Sequence, residues 1–240
     1  MENALFIGLS KQMALRNQME IVANNVANMN TSGFRAQNIM FHELVEDPKG
    51  QENDLSYVLD FGQYDNTDPG PVQHTGNPLD VAISGPGFMG VDNNGEMMYT
   101  RAGNFTIAQD GTITNPSGMP VANQGGGPIV VPPGTQTIQI TEDGMVVADD
   151  QQLGQLMLVE FENPQNLKPA GDVLYTTEDE PVPAANSVIK QFMLEGSNVN
   201  SINEVTNMIE VLRSYQSIQS MIGDEDERQR TAVRELLRTQ

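Results

Sequence analysis

The sequence predicts an α+β fold, mainly β. An N-terminal and a C-terminal helix form a coiled-coil-like pair, and one antiparallel β-sandwich or barrel-like domain lies between them. Three observations lead there. Residues 3–30 contain no proline and one glycine, Gly8, while Leu15, Met19, Val22, Val26 and Met29 recur at spacings of 4, 3, 4 and 3, the heptad interval of a helical seam. Residues 201–222 repeat that pattern with Ile202, Val205, Ile209 and Leu212. Between the two ends, short apolar runs alternate with Asn-Gly, Asp-Gly and Ser-Gly turn signals, as expected of many short strands joined by tight turns.

The first helix carries a second, slightly rotated stripe in Phe6, Leu9 and Met13, and Gly33 after Thr31-Ser32 is a suitable stop. At about 1.5 Å per residue it is roughly 40 Å long. A single apolar stripe cannot offset the entropy of ordering so long a backbone, so the helix needs a partner and is expected to fray in the free chain. Residues 34–75 read as an extended connector with one or two strands. Within it Asp47-Pro48-Lys49-Gly50 breaks any element, residues 55–61 alternate as a strand does, and residues 66–71 are turn-rich.

Residues 76–190 form the β domain. Apolar runs fall at 79–83, 88–91, 97–99, 105–108, 129–131, 137–140, 145–148 and 156–161. Turns fall at Asn94-Gly95, Asp110-Gly111, Ser117-Gly118, Pro133-Gly134 and Asp143-Gly144. Pro181 and Pro183 mark the exit. Residues 197–240 join residues 1–33 in a terminal helical assembly domain. Its helix has no Gly or Pro until Gly223, and Tyr215, Ile218 and Ile222 continue its stripe. Beyond Gly223, i,i+4 pairs Asp224–Arg228 and Asp226–Arg230 favour a continued helix, with a solvated tail as the alternative.

Charge and composition remove several classes of function. With 12 Lys+Arg against 32 Asp+Glu and a net charge of -20, the chain lacks the clustered cations that phosphate contacts need, so no nucleic-acid partner is expected. There is no cysteine, hence no disulfide and no thiolate metal site. No run approaches the ~20 apolar residues of a membrane span. The opening Met1-Glu2-Asn3-Ala4-Leu5 lacks the basic region of a cleaved signal peptide, so no direct membrane insertion and no cleaved signal are expected.

Nor does a catalytic or cofactor site emerge. Gly85-Pro86-Gly87-Phe88-Met89-Gly90 matches a dinucleotide fingerprint, but the residues after it read as a strand end and a turn, not the required helix. His42 and His74 belong to no metal-ligand spacing. Asp92-Asn93-Asn94-Gly95-Glu96 reads as a hairpin turn and not a calcium loop. No catalytic residue, metal or cofactor is expected.

Three motifs remain. The first is Ala23-Asn24-Asn25-Val26-Ala27-Asn28, followed by Thr31 and Gly33-Phe34-Arg35. The second runs from Asn77-Pro78-Leu79-Asp80 through Gly87-Phe88 to Tyr99-Thr100-Arg101-Ala102-Gly103-Asn104-Phe105. The third is Glu195-Gly196-Ser197-Asn198-Val199-Asn200, with Met208-Ile209-Glu210 and Arg213-Ser214-Tyr215-Gln216. In this order they resemble the flagellar axial proteins, the rod, hook and hook-associated families, over nearly the whole chain. The single compact β domain is similar to the proximal rod type; the distal rod type is the alternative, and a secreted adhesin or binding module is the reading from another class.

The resemblance implies a structural subunit that assembles into a helical axle and transmits torque without chemistry. It implies export by the flagellar type III apparatus, and partners among copies of itself and neighbouring rod proteins. The terminal helices would line an inner tube, with the β domain facing outward. Its assembly interface would comprise Leu15, Met19, Val22, Asn24, Asn25, Val26, Asn28, Met29, Gly33 and Phe34 from the N-terminal motif. Asn198, Asn200, Val205, Met208, Ile209, Leu212, Tyr215 and Ile218 would come from the C-terminal one. Leu15, Met19, Val22, Val26 and Met29 are expected to pack against Val205, Ile209, Leu212 and Tyr215.

Overall fold

The computed structural model describes residues 2–46 and 55–238 of the chain. Helix α1 spans Glu2–Ala27 and helix α2 spans Ser201–Arg238, and every strand pairing between them is antiparallel among the described residues. The architecture is therefore the α+β, mainly β arrangement that the sequence predicts. The chain divides into two compact units. One comprises residues 1–27, 37–65 and 200–240; the other comprises residues 28–36 and 66–199.

In the first unit α1 and α2 pack on one another. Helix α1 buries Ala14, Ile21 and Val22, and Leu15, Met19 and Val26 are half-buried. Helix α2 turns Met208, Val211, Tyr215, Ile218 and Ile222 inward, with Val211 only 5% exposed. These residues follow one another at 3, 4, 3 and 4 positions, a coiled-coil interval. Val205, Ile209 and Leu212, expected against α1, are exposed. The reason is geometric. Helix α2 carries two heptad stripes one residue apart, hence about 100° around the axis, and only one of them can face α1. Gly8 lies where an added Cβ would stand 3.3 Å from Ile222 and 3.4 Å from Met221, so its missing side chain permits close packing there.

Helix α2 does not stop at Gly223 but continues to Arg238. Of the two ion pairs expected beyond it, Asp226–Arg230 forms at 3.0 Å. Arg228 pairs with Glu225 in place of Asp224, because i,i+3 neighbours lie as near on a helix surface as i,i+4 neighbours. The unit is completed by a hairpin of Gln37–Glu46 and Leu55–Asp65, whose register shifts between Met40 and Phe41. The Asp47-Pro48-Lys49-Gly50 break lies outside the described residues.

The second unit is built on a six-stranded sheet. Its order is Lys168–Gly171, Leu174–Thr176, Glu96–Thr100, Phe88–Asn93, Leu158–Glu160, Val182–Pro183. Alternation along a strand sends neighbouring side chains to opposite faces, and Phe88 and Met89 show the consequence. Met89 joins Val81, Ile83, Phe105, Ile113, Val146 and Leu156 in the larger core. Phe88 joins Tyr99, Phe161 and Tyr175 in an aromatic cluster, with edge-to-face centroid distances of 4.9 Å for Tyr99–Phe161 and 5.9 Å for Phe88–Phe161.

The apolar run 129–131 forms no regular strand; Val130 makes only an isolated bridge to Thr112. Gln151–Gln155 is a strand with too little apolar alternation to be read from sequence. Asn94-Gly95 does close the hairpin of Phe88–Asn93 and Glu96–Thr100, with φ of 55° and 94°, as a type I′ turn requires. The glycine-rich stretch 85–90 leads into that hairpin and not into a helix.

Several turns of this unit are tied by aspartates. Asp149 accepts the N–H groups of Gln136 at 3.0 Å and Thr137 at 2.9 Å, and these bonds hold its carboxyl below the usual carboxylate range. The Thr141 hydroxyl does the same for Asp143, and the Thr112 N–H for Asp110. A carboxyl lowered on folding contributes stability that is present above its unfolded pKa, ~3.9, and is lost as pH falls through the folded value.

Buried at the centre of the unit is a charge. Arg101 has no exposed surface, and four hydrogen bonds and an ion pair hold its guanidinium. Nε donates to Glu195 Oε2 at 2.7 Å, and Nη2 forms an ion pair with the same oxygen at 2.7 Å. Nη1 donates to Gly85 O at 2.9 Å and Gly87 O at 2.7 Å, and Nη2 also donates to Ile83 O at 3.2 Å. The Phe88 ring lies 5.7 Å below the guanidinium carbon. Glu195 in turn accepts the Gly70 N–H on Oε1 at 3.0 Å, and its backbone carbonyl accepts the Gly33 N–H at 2.8 Å.

Two outcomes follow. Arg101→Met leaves a buried carboxylate without its cation and removes a donor from each of three carbonyls, and is expected to cost about 3–5 kcal/mol. Glu195→Gln keeps acceptors in place and should cost less, about 1–3 kcal/mol; urea unfolding measures both, and equal losses would mean that the carbonyl cradle contributes nothing. On acid titration the second unit should lose stability below about pH 4, and Asp149→Asn should flatten that loss when melting is followed against pH.

Candidate assembly interface

Where a chain changes direction, its backbone polar groups still need partners, and the asparagines of the terminal motifs supply them. Asn25 is 1% exposed. Its Oδ1 accepts the Gln37 N–H and its Nδ2 donates to the Gln37 carbonyl, both at 2.9 Å, so one side-chain amide replaces a strand neighbour. Asn198 does this for three backbone groups on two segments. Its Oδ1 accepts the Ala36 N–H at 2.7 Å, and its Nδ2 donates to Asn66 O at 3.0 Å and Asp68 O at 2.8 Å. Asn200 caps α2, accepting the Asn203 N–H at 3.2 Å. Asn28 Oδ1 accepts the Thr31 hydroxyl at 3.2 Å.

Gly33 is fixed by two demands at once. Its φ is +69°, and a Cβ there would stand 2.5 Å from the Ala102 nitrogen, so no other residue fits. Phe34 is half-buried and Asn24 exposed. The motif residues Asn25, Gly33, Asn198 and Asn200 therefore bind backbone within their own units, and Asn28 a side chain within its own.

The apolar candidates separate into two groups. Leu15, Met19, Val22, Val26, Met208, Tyr215 and Ile218 are wholly or partly covered inside the first unit. Val205, Ile209 and Leu212 are exposed and continue the row begun by Ile202, 77% exposed. Met29, in the second unit, is also exposed. On α1, Phe6, Leu9 and Met13 are exposed as well. An uncovered heptad row on a long helix is an association surface. Val211, Arg101 and Glu195 are structural residues outside the predicted interface. Val211 was legible as the middle of the second stripe. The other two were legible only as a lone arginine and a lone glutamate, each inside a motif.

Among the described residues, no three His, Asp or Glu side chains gather at metal-binding spacing, and no helix is long and apolar enough to cross a membrane. The His74 ring stacks on Phe192 at 6.5 Å.

Residues 6–35 match the flagella basal body rod protein family, residues 82–148 the D1 domain of the flagellar hook protein FlgE/F/G family, and residues 190–235 the flagellar basal body rod FlgEFG protein C-terminal family. The chain is 38% identical to the flagellar basal-body rod protein FlgF of Caulobacter vibrioides, over 98% of each. It is 32% identical to FlgF of Rhizobium meliloti over 94% of each. To the flagellar basal-body rod protein FlgG of Bacillus subtilis it is 30% identical, over 95% of this chain and 96% of that one.

Asn198→Ala removes partners from Ala36, Asn66 and Asp68 together and is expected to cost about 1–3 kcal/mol; chemical unfolding of the purified protein checks it, and an unchanged midpoint would remove Asn198 from the account.

Proposed function

This chain belongs to the flagellar basal-body rod protein family and is a structural subunit of the rod, and we propose that it builds the proximal segment, in the place taken by FlgF. The identity to FlgF relatives over nearly the full chain supports the proximal reading over the distal one. In this reading residues 1–33 and 197–240 are the assembly domain, and residues 76–190 are the β-rich domain.

One observation carries the mechanism. The row Ile202, Val205, Ile209, Leu212 is apolar, heptad-spaced and exposed on α2, while the other stripe of the same helix is already covered by α1. Burying such a row against a neighbour returns roughly 25 cal/mol per Å² of apolar surface, so copies associate laterally through their helices. A surface patch that meets a different patch on the next copy generates an open helix and not a closed ring. An axle needs that geometry. The subunit performs no catalysis; it transmits torque through packed helices and rigid β units.

Its partners are further copies of itself and the adjoining rod proteins, with the type III export apparatus delivering it without a cleaved signal. It lies in the basal body, in the periplasmic part of the rod. The terminal helices gain their full order on assembly, as their uncovered apolar surface favours.

Ile209→Asp should leave the melting temperature of the purified chain within error, because Ile209 is already exposed. It should nevertheless exclude the chain from basal bodies and abolish swimming. Wild-type incorporation of this variant would remove the α2 row from the mechanism. Val26→Asp, on α1, should likewise block incorporation while the β unit stays folded.

A further inference from the structure

Six residues other than glycine have positive φ among the described residues. Asn94, Asp149, Asp150, Asp172 and Val173 sit in or beside the turns of hairpins that call for this conformation. Phe192 (φ 64°) does not. It stands between Val188–Gln191, which pairs with Val81–Ser84, and Met193–Glu195, which pairs with Val72–His74. The chain changes sheets at this residue. A glycine would make the corner without strain, whereas an aromatic side chain in the left-handed region is a genuine outlier, and such strain marks functional positions.

The strain has a visible product. Along the ribbon of Met193–Glu195 and Val72–His74, alternation would place Phe192 on the face of Leu194 and Gln73. The left-handed residue breaks that alternation and sets the ring beside His74. There Phe192 is 38% exposed, and Val72, two residues before His74 on its strand, is exposed as well. On the face it has left lies a hollow of about 200 Å³ lined by Met29, Ser32, Pro71, Gln73, Leu194 and Gly196 among others. That volume lies below the ~300–1,000 Å³ of pockets that take drug-sized ligands and suits a single side chain. The ribbon thus presents an apolar knob on one side and a small hollow on the other.

We infer that Phe192 of one copy of this chain inserts into the hollow of the next, a contact outside the helices. Charge identifies the occupant. The chain carries -20 overall, so two copies repel wherever acidic surfaces meet. The residues lining the hollow include no charged side chain, and Val72 and Phe192 add none, so this ribbon can approach itself without opposing acidic charge. Knob and hollow differ and face opposite ways, so the contact is heterologous and propagates. The inference rests on the rod-subunit reading, which already stacks copies of the chain.

The test uses a strain lacking the chromosomal gene and complemented with the wild-type chain, Phe192→Gly or Gln73→Trp. The amount of chain in purified basal bodies is compared with the melting temperature of each purified protein. Phe192→Gly should melt at or above the wild-type temperature, since it relieves the backbone, while its incorporation falls by roughly tenfold or more, as for a central aromatic anchor. Gln73→Trp, which fills the hollow from an exposed position, should lose incorporation equally and decides the matter if Phe192→Gly melts early. Normal incorporation of both variants would overturn the knob and leave the rod assignment standing; absence of the wild-type chain from basal bodies would overturn both. Because the chain has no cysteine, a variant carrying Asn30→Cys and His74→Cys should give oxidised multimers of this chain alone. Cross-links to a different protein would overturn the second copy as occupant.

Discussion

A guanidinium with no exposed surface must find partners inside the protein, and Arg101 finds them in three carbonyls and one carboxylate. The cost of burying it is met only if the Gly85–Gly87 turn, the end of strand Val81–Ser84 and the carboxylate of Glu195 converge on one point. Glu195 then engages Gly70 and Gly33. Segments far apart in sequence are thereby held in one geometry. Lysine would not serve here, because a single ammonium offers three donors where five acceptor contacts are arranged around a planar fork. The second unit is thus specified by a polar network at its centre and filled by apolar cores on both faces of its main sheet.

The asparagines extend the same economy to the ends of the unit. Asn198 satisfies three backbone groups with one amide, and Asn200, two residues on, starts α2. With these tasks done by short polar side chains, the long apolar side chains of α2 are free for packing. One of its stripes covers α1. The other stays exposed, and in the proposed reading that division leaves the chain a folded object with one row open for a neighbour. For a member of the flagellar basal-body rod family, this uncovered row is the surface that the proposed axle contact uses.

Much of this was legible in the sequence, for physical reasons that can be named. The helices announce themselves through heptad spacing, and the turns through Asn94-Gly95 and its relatives, because local sterics fix both. The choice between the two stripes of α2 was not legible. Period alone places Ile209 and Met208 on adjacent faces and says nothing about which one meets α1. Strands such as Gln151–Gln155 escaped because they pair at a unit's edge with little burial, so their residues carry no alternation. The asparagines were visible as a motif, but their role as substitutes for backbone partners depends on where residues 36, 37, 66 and 68 arrive. Arg101 and Glu195 lie 94 residues apart, and only the folded chain brings them together.

The central claim is that this chain is a piece of the axle, built in through its helical ends. Basal bodies purified from a strain lacking the gene and imaged by electron microscopy test it most directly. The strain is compared after restoring either the whole chain or a version without residues 1–30. The account predicts missing or truncated rods, repaired by the whole chain and not by the shortened one. Complete rods in the deletion strain, or full repair by the shortened chain, would contradict it.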